Sequence, residues 1–195
     1  MIIAEVIHMQ GVRKKTRVLF LVQSALLAAI LCILSPLAIP IGPIPITLGV
    51  FAVMLTGVVL DWRRASVAVL VYLLLGLIGL PVFSGGNSGP GVIVGPTGGY
   101  LWAYLPMAAL IAGVGGKPRD REFAEDMRVF AACLLSMVVL YVLGTFQFTL
   151  IAGSDWSHAL AVCVYPFLAL DIGKAACAAL LGVRIRRRLR AAGLL

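Results

Sequence analysis

The sequence predicts an all-α polytopic membrane protein, six transmembrane helices with both termini in the cytoplasm, and three observations predict it. Of 195 residues, 62% are hydrophobic and 12% charged, with a mean hydropathy of +1.07, whereas a soluble domain carries about a quarter charged residues. Six apolar segments stand out, at 18–39, 46–60, 65–80, 100–115, 129–152 and 157–183. All but one of the 16 Lys and Arg residues sit in clusters that a six-pass path puts on one side, which the positive-inside rule makes the cytoplasm.

Taken in order, Arg13, Lys14, Lys15 and Arg17 precede the first segment, so residues 1–17 form a cytoplasmic N-terminal stretch. The first segment is longer than a signal-peptide core and leads into proline-rich sequence, which argues for its retention. Arg63 and Arg64 follow the second segment, Lys117, Arg119, Arg121 and Arg128 follow the fourth, and Arg184 to Arg190 follow the sixth as a basic cytoplasmic tail over 184–195. The helical domain is therefore 18–183. Segments two to four have only about 15–16 residues, roughly 24 Å of helix against a hydrocarbon core of about 30 Å. Tilted or partly inserted helices that leave a pocket are expected there.

Two external loops border that pocket. Pro40-Ile41-Gly42-Pro43-Ile44-Pro45 is a turn stiffened by fixed proline φ angles and missing N–H groups. Pro81 to Gly99 holds seven glycines, with Asn87 and Thr97 among its few hydrogen-bonding side chains. Irregular backbone at membrane depth is tolerated where it is buried in protein or lines a cavity, so this loop reads as a lid or wall.

Several function classes are disfavoured. The basic residues lie in short runs at segment ends without aromatic interleaving, which is a topology signal and not a nucleic-acid footprint. Cys32, Cys133, Cys163 and Cys177 are scattered through apolar sequence and only two His residues exist, so neither a metal site nor a disulfide framework nor any cofactor is indicated. Ile172-Gly173-Lys174-Ala175 lacks the upstream Gly and the following Ser or Thr of a Walker A loop. His8 and His158 fall at opposite ends of the membrane, pairing with no nucleophile, so an enzyme is not expected. Trp62, Trp102 and Trp156 mark interfacial belts.

One helix carries the chemistry. Asp171 is the only acidic residue inside any apolar segment, and Lys174, the one basic residue outside the clusters, lies three positions on, so a helix sets them side by side. Lys174 stands about 15 Å along the axis from Arg184, half the hydrocarbon thickness, too deep to snorkel easily. Each charge at that depth costs about 2.5–3.5 kcal/mol, so the pair needs mutual compensation and a polar cavity; such residues usually handle a polar ligand, the alternative being an ion pair that only fixes packing. On the ligand reading, replacing either is expected to act on binding with little change in unfolding. Gly173, Ala175, Ala176, Ala178, Ala179 and Gly182 allow close helix approach around them, and Pro166 sits where a kink would open space.

The run Ser35-Pro36-Leu37-Ala38-Ile39-Pro40-Ile41-Gly42-Pro43-Ile44-Pro45-Ile46-Thr47-Leu48, then Gly79-Leu80-Pro81-Val82-Phe83, Val94-Gly95-Pro96-Thr97-Gly98-Gly99-Tyr100 and Asp171-Ile172-Gly173-Lys174 resembles the BioY family, the biotin-specific S components of energy-coupling factor (ECF) transporters. The likeness spans nearly all of 20–183, and the order of the four motifs is more specific than any one of them. It implies a six-helix plasma-membrane protein that captures biotin and works with a transmembrane coupling (T) component and two ATP-binding-cassette ATPase subunits. It further implies that Asp171, Lys174 and Asn87 contact biotin, that Thr47, Gly98 and Tyr100 lie near the pocket, and that Phe51, one turn beyond Thr47, packs on the ligand's rings. Ala25 and Ala29 supply the AxxxA stripe with which helix one of an S component meets its coupling partner. The pattern departs at Gly49, where the family often has a bulkier polar residue, and at Asp61-Trp62-Arg63-Arg64 in the first cytoplasmic loop. Two other readings remain open on the residues alone: an S component for another small vitamin, or a stand-alone carrier using Asp171 as a titrating group, although no inverted repeat or second intramembrane acid supports the latter.

Overall fold

The computed structural model describes residues 2–40, 44–115 and 122–195. The fold is mostly helical: α1 (Ile2–Leu34), a short β1 (Ala38–Ile39) and β2 (Ile46–Thr47), α2 (Gly49–Val59), α3 (Trp62–Leu77), a 3-10 turn at Ser84–Gly86, α4 (Pro90–Val94), α5 (Gly98–Gly115), α6 (Glu122–Ala152), α7 (Trp156–Cys163) and α8 (Tyr165–Ala191). Among the described residues, four helices are long and apolar enough to cross a membrane, with windows at Arg17–Leu34, Gly98–Gly115, Phe123–Ala152 and Tyr165–Ala191. Leu21, Val22, Leu26 and Ile33 are exposed along α1, and Leu135, Val138 and Val142 along α6, as lipid-facing surfaces require.

Three departures from the sequence expectation shape the site. The first segment ends as a helix at Leu34, and Ala38–Ile39 pairs antiparallel with Ile46–Thr47, so the second helix starts only at Gly49. With 11 residues, α2 is about 16 Å long and cannot span the bilayer alone. The sixth segment is two helices, broken at Val164 (φ −122, ψ −58); Pro166 then occupies the first turn of α8, where its missing N–H leaves nothing unsatisfied. The basic run from Arg184 is helical, for α8 continues through it to Ala191, and Arg186 is buried. Lys117, Arg119, Arg121 and the centre of the proline turn, 41–43, lie outside the described residues.

The sharp α2–α3 connection follows from Asp61, which caps α3 by accepting from the Arg63 and Arg64 N–H groups at 3.0 and 3.1 Å and pairs with Arg64 Nε at 3.1 Å. α5 packs chiefly on α6, and α2 on α8. Those contacts depend on small residues: a side chain at Gly99 would strike the Leu143 carbonyl, one at Gly144 the Tyr100 ring, and one at Gly182 the side chain of Val58. At the end that carries the basic residues, Glu125 on α6 is buried and accepts from Arg186 Nη2 at 2.6 Å and Arg187 Nη2 at 2.7 Å, while Arg186 Nη1 donates to the Val58 carbonyl at 3.1 Å.

Candidate functional site

At the opposite end of the bundle, a cavity of about 250 Å³ lies among the end of α1, β2, the starts of α2, α5 and α8, and the glycine-rich loop. It is somewhat smaller than the roughly 300–1,000 Å³ of drug-sized ligand sites, which suits a small molecule. Its walls are mainly apolar and aromatic, with Val50, Tyr72, Phe83, Leu101, Leu140 and Phe167 among them, and its polar groups are few.

Asp171 and Lys174 both line it. Lys174 Nζ donates to Asp171 Oδ1 at 2.8 Å and to the Thr47 carbonyl at 2.8 Å. The other carboxylate oxygen accepts from the Tyr141 hydroxyl at 2.9 Å. The side chains are 3% and 13% exposed, so the charges are compensated inside the protein and out of lipid. Asp171 has each oxygen held by one donor, and a carboxylate has lone pairs to spare; the ammonium has a third proton. The pair can therefore accept from an N–H and donate to an oxygen of a ligand without first being broken.

The loop is built onto the bundle at three places. Gly85 N–H donates to the Pro36 carbonyl at 3.2 Å, Gly89 N–H to the Gly76 carbonyl at 2.7 Å, and Gln147 Nε2 on α6 to the carbonyls of Ile93 and Gly95 at 3.0 and 2.8 Å. Gly85, Gly86 and Gly89 hold φ of 68, 77 and 90, a region that favours glycine. The Phe83 ring sits where a side chain at Gly76 would be, making a T-shaped contact with Tyr72 at 5.7 Å between centroids. The loop is an ordered wall.

Of the residues singled out in the sequence, Asp171, Lys174, Thr47, Asn87 and Tyr100 come together around the cavity. Asn87 is exposed, its Nδ2 donating to the Ser84 carbonyl at 2.7 Å, and stands at the rim. Tyr100 lends its ring to the wall and its hydroxyl to the Cys163 carbonyl at 3.2 Å, bracing the break between α7 and α8. Gly98 and Phe51 are not lining residues. Gly98 is buried against Ile93 and Gln147, where it seats the loop, and Phe51 packs half-buried against the core. Sequence reasoning missed Tyr72, Tyr104, Tyr141 and Ser35 as lining residues and Gln147 as the loop's anchor. A signal existed for the tyrosines. Each lies within or at the edge of an apolar segment, where a hydroxyl needs a partner, and four of the five in the chain line this cavity.

The sequence profile described as the BioY family matches residues 9–191. The chain belongs to the BioY family. Among its relatives is the biotin transporter BioY2 of Lactococcus lactis subsp. cremoris, 40% identical over 176 residues that make up 90% of this chain and 94% of that one. The biotin transporter BioY of Thermotoga maritima is 35% identical over 171 residues, 86% of this chain and 95% of that one. Among solved structures, the S component for biotin from an ECF-type ABC transporter superposes with a TM-score of 0.78 at 29% identity, covering 89% of this chain and 93% of that chain. Family membership makes this a multi-pass membrane transporter component and argues against an enzyme.

Proposed function

We propose that the chain is the substrate-capture subunit of an ECF-type transporter and that its ligand is biotin. The observation that carries this reading is the Asp171–Lys174 pair, buried in an otherwise apolar, aromatic cavity in a chain of this family. Biotin is a compact fused ring with a ureido group and a carboxylate on a short aliphatic arm. Tyr72, Phe83 and Phe167 supply flat apolar surface for the rings and the arm, and Asp171 and Lys174 supply charge-assisted hydrogen bonds. Asn87, on the loop between the Phe83 and Gly89 anchors, adds an amide that can turn from the Ser84 carbonyl to the ligand. Thr47 and Tyr100 position these groups.

Topology and partners follow from the same reading. The positive-inside rule puts the basic ends of the helices and both termini in the cytoplasm, so the cavity opens outward to scavenge. The sequence holds no nucleotide-binding loop, so transport energy comes from two ATP-binding-cassette subunits acting through the transmembrane coupling component. Ala25 and Ala29 are exposed on one face of α1, a strip on which a partner helix can approach closely.

Calorimetric titration of the purified chain, stripped of co-purified ligand by partial unfolding and refolding, tests the reading. Saturable heat with biotin near one per chain, and none with thiamine or riboflavin, supports it. Heat with a control vitamin alone would keep the transporter and replace the substrate.

A further inference from the structure

The base of the cavity holds hydroxyl groups that the Asp171–Lys174 pair does not use. They meet at Gly49, the first residue of α2, where an added side-chain carbon would stand 2.8 Å from Ser35 Oγ, 2.8 Å from Tyr104 Oη and 3.2 Å from Thr47 Oγ1. Ser35 follows the end of α1, Thr47 ends β2 and Tyr104 projects from α5, so three separate elements converge on one point, and all three residues line the cavity. Thr47 Oγ1 accepts from the Gly49 N–H at 3.1 Å and meets the Tyr104 hydroxyl, so of the two hydroxyl protons one is left to donate. Ser35 is 2% exposed, and its Oγ, beside the Tyr72 hydroxyl, has no partner within full hydrogen-bond distance among the described residues. A buried hydroxyl without a partner is uncommon and unfavourable unless something bound completes it.

The chemistry of this base selects one end of the ligand. Asp171 and Lys174 sum to zero charge, and the ammonium is already engaged with Asp171 Oδ1 and the Thr47 carbonyl. No surplus positive charge is left for an anion, and a carboxylate at this depth would meet that of Asp171. Burying an anion without a counter-charge is far more costly than burying a neutral group that is hydrogen-bonded. Hydroxyls suit a neutral carbonyl-type acceptor, and Gly49 leaves the room for it. We propose, resting on the assignment of biotin as ligand, that Ser35, Thr47 and Tyr104 around Gly49 form a specificity site for the ureido carbonyl oxygen. The carboxylate arm then points toward the loop that carries Asn87.

The test compares three ligands on the full-length purified chain: biotin, the analogue with sulfur in place of the ureido oxygen, which keeps the carboxylate, and biotin methyl ester, which does not keep its charge. The unsubstituted protein prefers biotin to the sulfur analogue by about tenfold or more, the scale of one hydrogen bond in a buried site. Ser35→Ala and Tyr104→Phe each weaken biotin by about tenfold, bring that preference toward unity and leave the ratio of biotin to its ester unchanged. Because Ser35 Oγ has no partner within full hydrogen-bond distance among the described residues, Ser35→Ala unfolds at no lower temperature than its parent when ligand-free, which a merely structural serine would not do; Tyr104→Phe gives the second reading. Variants that alter the ester ratio and keep the preference over the sulfur analogue would put the carboxylate at this site and overturn the proposal, as would variants that bind all three ligands like the parent. A parent that binds none of the three overturns the biotin assignment itself, and the specificity site with it.

Discussion

Replacing Lys174 with Met removes the ammonium and keeps most of its stem. Asp171, whose side chain is 3% exposed, then loses its 2.8 Å partner and keeps only the Tyr141 hydroxyl at 2.9 Å. The Thr47 carbonyl loses its donor as well. Breaking one half of a buried pair costs about 3–5 kcal/mol, because the charge left behind is uncompensated. Asp171→Asn is milder, since Lys174 is 13% exposed and still donates to Thr47. The double variant Asp171→Asn/Lys174→Met removes both charges, and replacing a buried pair entirely is often neutral for stability. Its unfolding temperature should therefore exceed that of Lys174→Met, a positive coupling of about 0.5–3 kcal/mol in the double-mutant cycle.

Binding follows another pattern. Each single variant loses at least one charge-assisted hydrogen bond to the ligand, about 1.5–3 kcal/mol, or roughly ten- to a hundredfold in Kd, and the double variant regains none of it. Thermal unfolding of the ligand-free protein in detergent and calorimetric titration with biotin separate the two. A double variant that is as stable as the parent and binds biotin normally would make the pair a packing device and refute its role in capture. A Lys174→Met protein that unfolds at the parent's temperature would refute the burial argument. The sequence alone suggests that single replacements leave unfolding nearly unchanged; the buried geometry of the pair reverses that expectation.

Other outcomes follow from single contacts. Gly76→Ala should displace the Phe83 ring from the cavity wall, lowering stability by about 1–3 kcal/mol as overpacking does and weakening biotin binding, both read by melting and titration. Gln147→Leu removes both donors that hold the Ile93 and Gly95 carbonyls; biotin dissociation should quicken by about tenfold, and amide exchange over 90–97 should rise, while the melting temperature falls only slightly. Glu125→Ala leaves Arg186, 1% exposed, with the Val58 carbonyl as its main partner and should cost about 3–5 kcal/mol in unfolding while the folded fraction keeps its affinity for biotin, because this cluster lies at the other end of α8.

What the sequence disclosed and what it hid divide along a physical line. The membrane class, the helical character and the Asp171–Lys174 pair were legible because hydropathy and an i, i+3 spacing are local properties; the division into spans was not, since the break at Val164 and the short α2 are set by packing. The motif order extended that to Asn87, Thr47 and Tyr100. The partners of these groups were not legible, since Tyr141 meets Asp171 across 30 positions and Gln147 meets Ile93 across 54. Gly98 and Phe51 were placed near the ligand by motif and by turn spacing, yet such proximity does not tell a lining residue from one that seats its neighbour.

The short α2 shows that charged residues at the basic end of the bundle have a structural role that local reading does not reveal. An 11-residue helix in a membrane has end carbonyls with no intrahelical partner and no water at hand to satisfy them. Arg186 donates to the carbonyl of Val58 in the last turn of α2, and Lys174 donates to the carbonyl of Thr47 just ahead of its first. The two donors lie 12 residues apart on α8, about 18 Å, close to the reach of the element they hold. In the same way Arg128 donates to the Gly115 carbonyl where α5 ends. Arg186 and Arg128, which read in sequence as topology signals, thus satisfy carbonyls at the ends of α2 and α5, while Lys174 ties α8 to the end of β2, which leads into α2 at the border of the cavity. The Asp171–Lys174 pair is for that reason part of the scaffold, so the cycle on it must be read in stability and in affinity together.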